Sequence, residues 1–508
     1  MLTVPALHDP PRVGKPHAVV IGSGFGGLAA AVRLSALGYR VSVLEKLDAP
    51  GGKAYVYRQD GFTFDAGPTI ITAPFLFEEL WELCGRRLSE DVELRPVHPF
   101  YRIRYDNGEV FDYSGDLSAM TAQIARWHPA DVAGYERFMA MSRAIFDVGF
   151  ERLGHVPFDS ITDMLRIAPA MLRLKSYRTV YGLVSSFVRD ERLRVALSFH
   201  PLLIGGNPLA APSIYCLIAF LERRWGVHFA MGGTGQLVRG LVGLVQGQGG
   251  TLRCNAEVDE ILVRAGRATG VRLRGGEAIT ADIVVSNADA AWTYRHLLAP
   301  AHRRCWTDRR IERARYSMGL FVWYFGTRRT YPDVPHHTIL LGPRYAELLR
   351  DIFDHKVLSG DFSLYLHRPT ATDPALAPEG CDTFYVLAPV PNLHGATVWD
   401  DARAESYRRA ICARLAQTML PDLENQIVTS RVLTPRDFRD RLNSYAGAAF
   451  GMEPILRQSA WFRPHNRSED IRNLFMVGAG THPGAGVPGV LSSARVLDRV
   501  VKHASAMA

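Results

Sequence analysis

No run of about eighteen uncharged apolar residues occurs in the 508-residue chain, so nothing in it reads as a membrane-spanning helix. Any bilayer contact would be peripheral. The six cysteines, Cys84, Cys216, Cys254, Cys305, Cys381 and Cys412, are scattered without paired spacing. That pattern offers neither a disulfide framework nor a structural zinc, and it fits a reducing cytoplasm. Met1 to Pro16 lacks an apolar stretch of signal-peptide length and is expected to be a disordered leader. Nucleic-acid motifs are also missing. The net charge of +8, from 59 basic and 51 acidic residues, is a moderate excess that suits an anionic membrane surface without requiring one.

What is present begins at residue 17. A short apolar run, Ala18 to Ile21, has the look of a buried parallel strand; Gly22, Gly24 and Gly27 follow, and then an alanine-rich helical stretch, Leu28 to Leu37. A second strand, Arg40 to Leu44, ends in Glu45, eighteen positions past Gly27. Each part has a task in holding a dinucleotide. Gly22 permits the tight turn, Gly24 lets a pyrophosphate approach backbone, Gly27 lets helix pack on strand, and the helix N-terminus faces the anion. Glu45 can accept from ribose hydroxyls and would repel a 2′-phosphate, which argues against NADP and leaves FAD or NAD.

Further on, Gly51-Gly52-Lys53 sets a glycine pair beside a cation that suits phosphate. Pro74 to Gly85 has helical spacing, and residues 91–114 alternate as antiparallel strands with Asn107-Gly108 as the hairpin turn. From Leu117 to about Arg224 the pattern is helical. Within it Ile161, Met164, Leu165, Ile167, Met171 and Leu172 are mixed with Arg166, Arg173 and Lys175, a composition suited to a membrane interface. Leu237 to Val245 reads as a helix, Thr251 to Val285 is strand-rich with a hairpin at Gly275-Gly276, and Val285 runs into Asn287-Ala288-Asp289. Such a strand end is where an α/β sheet presents its ligand crevice, and this one is expected beside the first strand. The aromatic segments Gly319 to Phe325, Ser363 to Leu366 and Thr383 to Leu387 are core, and could also wall an apolar pocket for a long hydrocarbon.

The last segment joins a buried strand, Asn473 to Val477, to Gly478-Ala-Gly480-Thr481-His482-Pro483-Gly484-Ala-Gly486-Val487-Pro-Gly489 and a helix expected to begin near Val490. A second glycine-rich strand-to-helix turn places another helix N-terminus where it can stabilise negative charge on a reduced flavin, which favours FAD over NAD.

With both turns in view, the chain resembles the bacterial phytoene desaturases of carotenoid biosynthesis, within the FAD-dependent amine oxidase-like flavoproteins. The resemblance rests on Val20 to Leu28, Phe64 to Thr69, Ser198 to Gly206, Val285 to Asp289, Leu364 to Pro369 and above all Gly478 to Gly489. Lys53 stands where many relatives carry arginine, a point charge in place of a bidentate fork. The resemblance implies noncovalent FAD contacted by Gly22, Gly24, Gly27, Glu45, Gly52 and Lys53, with the Val258 backbone at the adenine and Gly480, Thr481, Gly486 and Val487 on the flavin side. It implies stepwise desaturation of phytoene, an uncharged C40 polyene, to neurosporene or lycopene, with quinone or oxygen as terminal acceptor and residence on the cytoplasmic face of the cell membrane.

The expected fold is α/β: a Rossmann-like FAD-binding domain from discontinuous segments (17–100, 226–297 and 440–508), a helical membrane-contacting substrate region (101–225) and an inserted mixed-sheet substrate domain (298–439). For the proton-accepting base His200, Asp289, His367 and His482 are candidates, and none is assigned; no metal ligands are named. Two other readings stay open. The same fold could dehydrogenate another hydrophobic substrate, such as a hydroxy- or methoxy-carotenoid, a retinoid or an amine, or it could be a non-catalytic isoprenoid carrier that has lost FAD.

Overall fold

The computed structural model describes residues 14–506; the leader expected over 1–16 falls, up to residue 13, outside them. The chain opens as strand β1 (His17–Ile21), helix α1 (Phe25–Ala36) and strand β2 (Arg40–Leu44). A long helical stretch follows and includes α2 (Ile161–Arg173). Strands β3 (Thr251–Arg253), β4 (Ile283–Ser286) and β5 (Leu474–Met476) come later, and α3 (Val487–Arg495) follows β5.

The five strands form one sheet in the order β5-β4-β1-β2-β3, and every neighbouring pair is parallel. Register places Val19 opposite Val284 and Val284 opposite Leu474. Strands buried on both faces need apolar residues at successive positions, and Ala18-Val19-Val20 and Ile283-Val284-Val285 supply them, all at 2% exposure or less. This is the Rossmann-like sheet expected from separated segments. Its members come from the first fifty residues, the middle of the chain and its last forty.

Helix α1 starts at Phe25, and α3 at Val487, so each begins three residues before the sequence suggested. The reason is the same at both turns. A first helical turn tolerates glycine and Pro488, because its N–H groups have no intrahelical partner to lose. A side chain at Gly27 would run into the carbonyl oxygen of Gly22, so helix and strand pack here at a distance only glycine allows. Arg33, 2% exposed, ties α1 to two other helices through Glu79 (2.9 Å) and Asp498 (2.6 Å).

A second, seven-stranded sheet runs in the order 427–433, 319–327, 382–390, 364–367, 337–340, 101–104 and 110–113. Its last two strands are the hairpin predicted at Asn107-Gly108. The aromatic strands do both things their composition allowed. Phe321, Trp323 and Phe325 face a core completed by the helix Asp401–Thr418, while Leu320, Val322 and Tyr324 face the opposite way, towards the middle of the molecule.

Gly27→Ala should therefore lower stability by about 1–3 kcal/mol, the usual cost of overpacking. Gly243→Ala, in a helix with open space at its Cβ position, should leave stability level or raise it. Thermal unfolding of the two purified variants checks the pair.

Candidate active site

Both glycine turns open into one cavity of about 850 Å³ at the carboxyl ends of β1, β2 and β4. Gly24 precedes α1 and Gly486, with φ of +92°, precedes α3; neither helix has a side-chain cap or an acidic residue in its first turn. Two uncapped helix N-termini thus present N–H groups and positive dipole ends to the same space.

Asn287, just past β4, sits between the turns. A Cβ on Gly24 would lie 2.9 Å from its Nδ2, and Cβ atoms on Gly26 and Gly478 would lie 2.5 and 2.6 Å from its Oδ1. The glycines of both turns therefore make room for this amide as well as for a ligand. At the end of β2, Glu45 is 5% exposed and held by three donors: Ser23 N (2.8 Å) and Ser23 Oγ (2.6 Å) to Oε2, and Leu47 N (2.9 Å) to Oε1. A carboxylate offers about four acceptor sites, so this one keeps capacity for a hydroxyl donor. The amide of Ala256 donates to the Glu45 carbonyl at 2.8 Å and brings Val258 to the same end of the cavity.

Of the residues named from sequence, Gly22, Gly24, Glu45, Gly52, Lys53, Val258, Gly480, Gly486 and Val487 line the cavity. Gly27 does not, because its task is packing; nor does Thr481, whose hydroxyl donates to the Pro464 carbonyl at 2.6 Å. Among the candidate bases, Asp289 and His482 line the cavity. Asp289 accepts from Trp292 N at 3.0 Å; burial raises its pKa, against the pull of backbone donors and Lys53. Burial lowers His482 to about 4, so it is neutral near pH 7 and bonds the Leu153 carbonyl at 3.3 Å. His200 is bound instead to Glu222 (3.0 Å), which also accepts from Tyr101 (2.6 Å).

His367 belongs to a buried group with His336 and His337, one ring nitrogen of each within 4.8 Å of the others. Burial holds all three well below the usual histidine range, and Arg368 adds to the effect at His336. The 3.0 Å contact between His336 Nε2 and His367 Nε2 is a hydrogen bond between neutral rings. Tyr365 bonds His337 Nδ1 at 2.7 Å, and Tyr385 bonds Thr69 and Gly67. Both tyrosines line the cavity with their hydroxyls hydrogen-bonded to the protein.

Much of the remaining wall is apolar, from Leu320, Val322, Ile339 and Leu387 of the second sheet and from Met164, Ile167 and Met171 of α2. Helix α2 has no buried residue: one face covers the cavity while Ile161 (48%) and Leu165 (68%) point outward. The cavity is therefore polar and glycine-rich at one side and apolar at the other.

Residues 25–496 match the family described as flavin containing amine oxidoreductase. The chain belongs to that family. It is 51% identical over 492 residues, 96% of this chain and 95% of the relative, to the neurosporene-forming phytoene desaturase of Cereibacter sphaeroides. It is also 51% identical over 476 residues, 94% of this chain and 97% of the relative, to the lycopene-forming phytoene desaturase of Pantoea ananas. Among solved structures, an oxidoreductase from Methanosarcina mazei shares the fold with a TM-score of 0.61 at 19% identity, covering 95% of this chain and 100% of that one.

FAD is the cofactor of such a flavoprotein, and the residues present suit it. Glu45 retains acceptor capacity, two helix N-termini face the cavity, and Lys53 stands in its wall with burial lowering its pKa and only Asp289 opposing that shift. A cation so placed is matched to phosphate.

Arg463 was not singled out from sequence. It is 1% exposed and supports the second turn by donating to the Ala479 carbonyl at 2.9 Å. An arginine inside Trp461-Phe462-Arg463-Pro464 was the available signal, a lone cation among bulky apolar neighbours. Asn287 was read only as part of a strand end.

Glu45→Arg should weaken FAD binding by about 10–100-fold, the worth of one or two hydrogen bonds to a charged group. Fluorescence titration of the apoprotein with FAD measures it, and unchanged affinity would place the ribose elsewhere.

Proposed function

We propose that the chain is a phytoene desaturase whose apolar cavity takes the C40 hydrocarbon and whose glycine-lined side takes FAD. One observation carries this reading. A single cavity has two uncapped helix N-termini and a carboxylate at one side and an aliphatic and aromatic wall at the other, in a chain half identical over nearly its whole length to two phytoene desaturases.

In this reading the turn at Gly22, Gly24 and Gly27 receives the pyrophosphate with Lys53, Glu45 accepts from the ribose, the Val258 backbone meets the adenine, and residues 480–487 lie along the flavin. When bound, FAD supplies the acceptor for a hydride taken from the substrate. The protein does the rest by position and exclusion. Desaturation removes a hydride from one carbon and a proton from its neighbour, so the protein must hold a flexible hydrocarbon in register and keep water from the cation left between the two events. Binding is hydrophobic, and each 100 Å² of hydrocarbon removed from water contributes about 2.5 kcal/mol. Tyr365 and Tyr385, their hydroxyls hydrogen-bonded within the protein, add aromatic rings to the wall, and such rings tolerate positive charge.

The substrate's insolubility bears on location. No helix among the described residues is long and apolar enough to cross a membrane. Helix α2 covers the cavity with one face and turns Ile161 and Leu165 outward beside Arg166, which is 80% exposed. We infer that this face rests in the bilayer interface, its cations at the headgroups, so that the hydrocarbon passes from lipid to cavity. Reoxidation by a membrane quinone or by oxygen completes the cycle. The relatives form neurosporene in one case and lycopene in the other at equal identity, so the step count is a question for product analysis.

Expression in a host that accumulates phytoene should give coloured carotenes on pigment extraction. Persistent colourless phytoene alongside soluble, FAD-loaded protein would reject the function. Replacing Ile161 and Leu165 together by Asp should reduce flotation with anionic vesicles several-fold while FAD content is kept. Unaltered flotation would remove α2 from the membrane contact.

A further inference from the structure

Arg463 is a buried cation whose partners do not balance its charge. Its Nη2 donates to the carbonyls of Ala479 (2.9 Å) and Met452 (3.1 Å), and Nη1 donates to Gln458 (3.4 Å). Nε has no partner, and no carboxylate is within ion-pair distance among the described residues. The groups whose negative form would offset it are the Tyr215 hydroxyl first and then the Asp289 carboxylate, which also serves Lys53. Two cations thus share one carboxylate beside the cavity. An uncompensated buried charge is destabilising, and the arrangement is relieved by a negative charge arriving nearby.

Position says which charge. A Cβ on Gly484 would lie 3.8 Å from the guanidinium carbon, so Arg463 packs against the backbone of this turn. Residues 478–480 and 485–490 of the same turn line the cavity. On the reading above, this is where the flavin's reactive end rests. We propose that Arg463 raises the reduction potential of the bound flavin by stabilising the negative charge acquired on reduction. The charge acts through low-dielectric surroundings and needs no direct contact.

The alternative role is purely mechanical, with Arg463 serving only to hold the turn through its carbonyl bonds. Reductive titration of FAD-loaded protein against a reference dye separates the two. Arg463→Gln keeps a donor for Ala479 and loses the charge; the two-electron equilibrium should shift at least tenfold towards the oxidised flavin, about 30 mV. Arg463→Lys keeps the charge and should stay within threefold of the parent. Asp289→Asn removes the shared carboxylate and should shift the equilibrium the other way. Equal shifts in the Gln and Lys variants, or none in Gln, would overturn the proposal. If the Gln variant does not retain FAD, Arg463→Met, which loses the charge and keeps the bulk, is titrated in its place, and an unchanged or raised potential counts against the proposal. Potentials that do not move while the parent still forms coloured carotenes would refute the role of Arg463 and leave the desaturase reading standing.

Discussion

The parallel pairing of β4 with β1 on one edge and β5 on the other is the constraint on which the rest depends. It brings residues near positions 20, 285 and 475 into adjacent strands with matched register. The turns that follow β1 and β5 must then open on the same side of the sheet, and the Asn287 side chain fills the space between them. Neither turn alone makes a cofactor site. Together they set two positive helix ends, about half a unit charge each, along one cavity, with the Glu45 carboxylate at the end of β2 beside them.

The second sheet answers a different demand. A cofactor crevice needs polar groups and close backbone, whereas a hydrocarbon needs a dry wall. Strand alternation meets both, because the residues of 319–327 pack one set of side chains on the helix behind and offer the other set inward. The tyrosine hydroxyls of that wall are hydrogen-bonded to Thr69, Gly67 and His337, so these polar atoms are not left unsatisfied. Helix α2 then closes the cavity with one half-buried face and leaves Ile161 and Leu165 exposed on the other.

Much of this was legible in the sequence because it is written locally. Strand, glycines, helix and terminal acid lie within thirty residues of one another at the first turn, and the second repeats the pattern at the other end of the chain. The hairpins at Asn107-Gly108 and Gly275-Gly276 follow from turn chemistry alone. Both helices start three residues earlier than their apolar spacing shows, because glycine and proline cost little in a first turn. What could not be read was long-range: that 101–113 completes the sheet of 319–433, that α2 covers the cavity, and that Arg463 lies behind the glycine turn. None of these has a local signature, since each depends on which surfaces remain once the central sheet has formed.

The central claim is that one cavity holds both flavin and hydrocarbon, close enough for a hydride to pass. Anaerobic mixing of the FAD-loaded protein with phytoene in lipid vesicles tests it directly, following the absorbance of oxidised flavin and extracting the pigment from the same sample. The account predicts bleaching of the flavin with one new double bond formed per flavin reduced. A flavin that stays oxidised with vesicle-borne phytoene would contradict it, as would a bleached flavin with phytoene recovered unchanged.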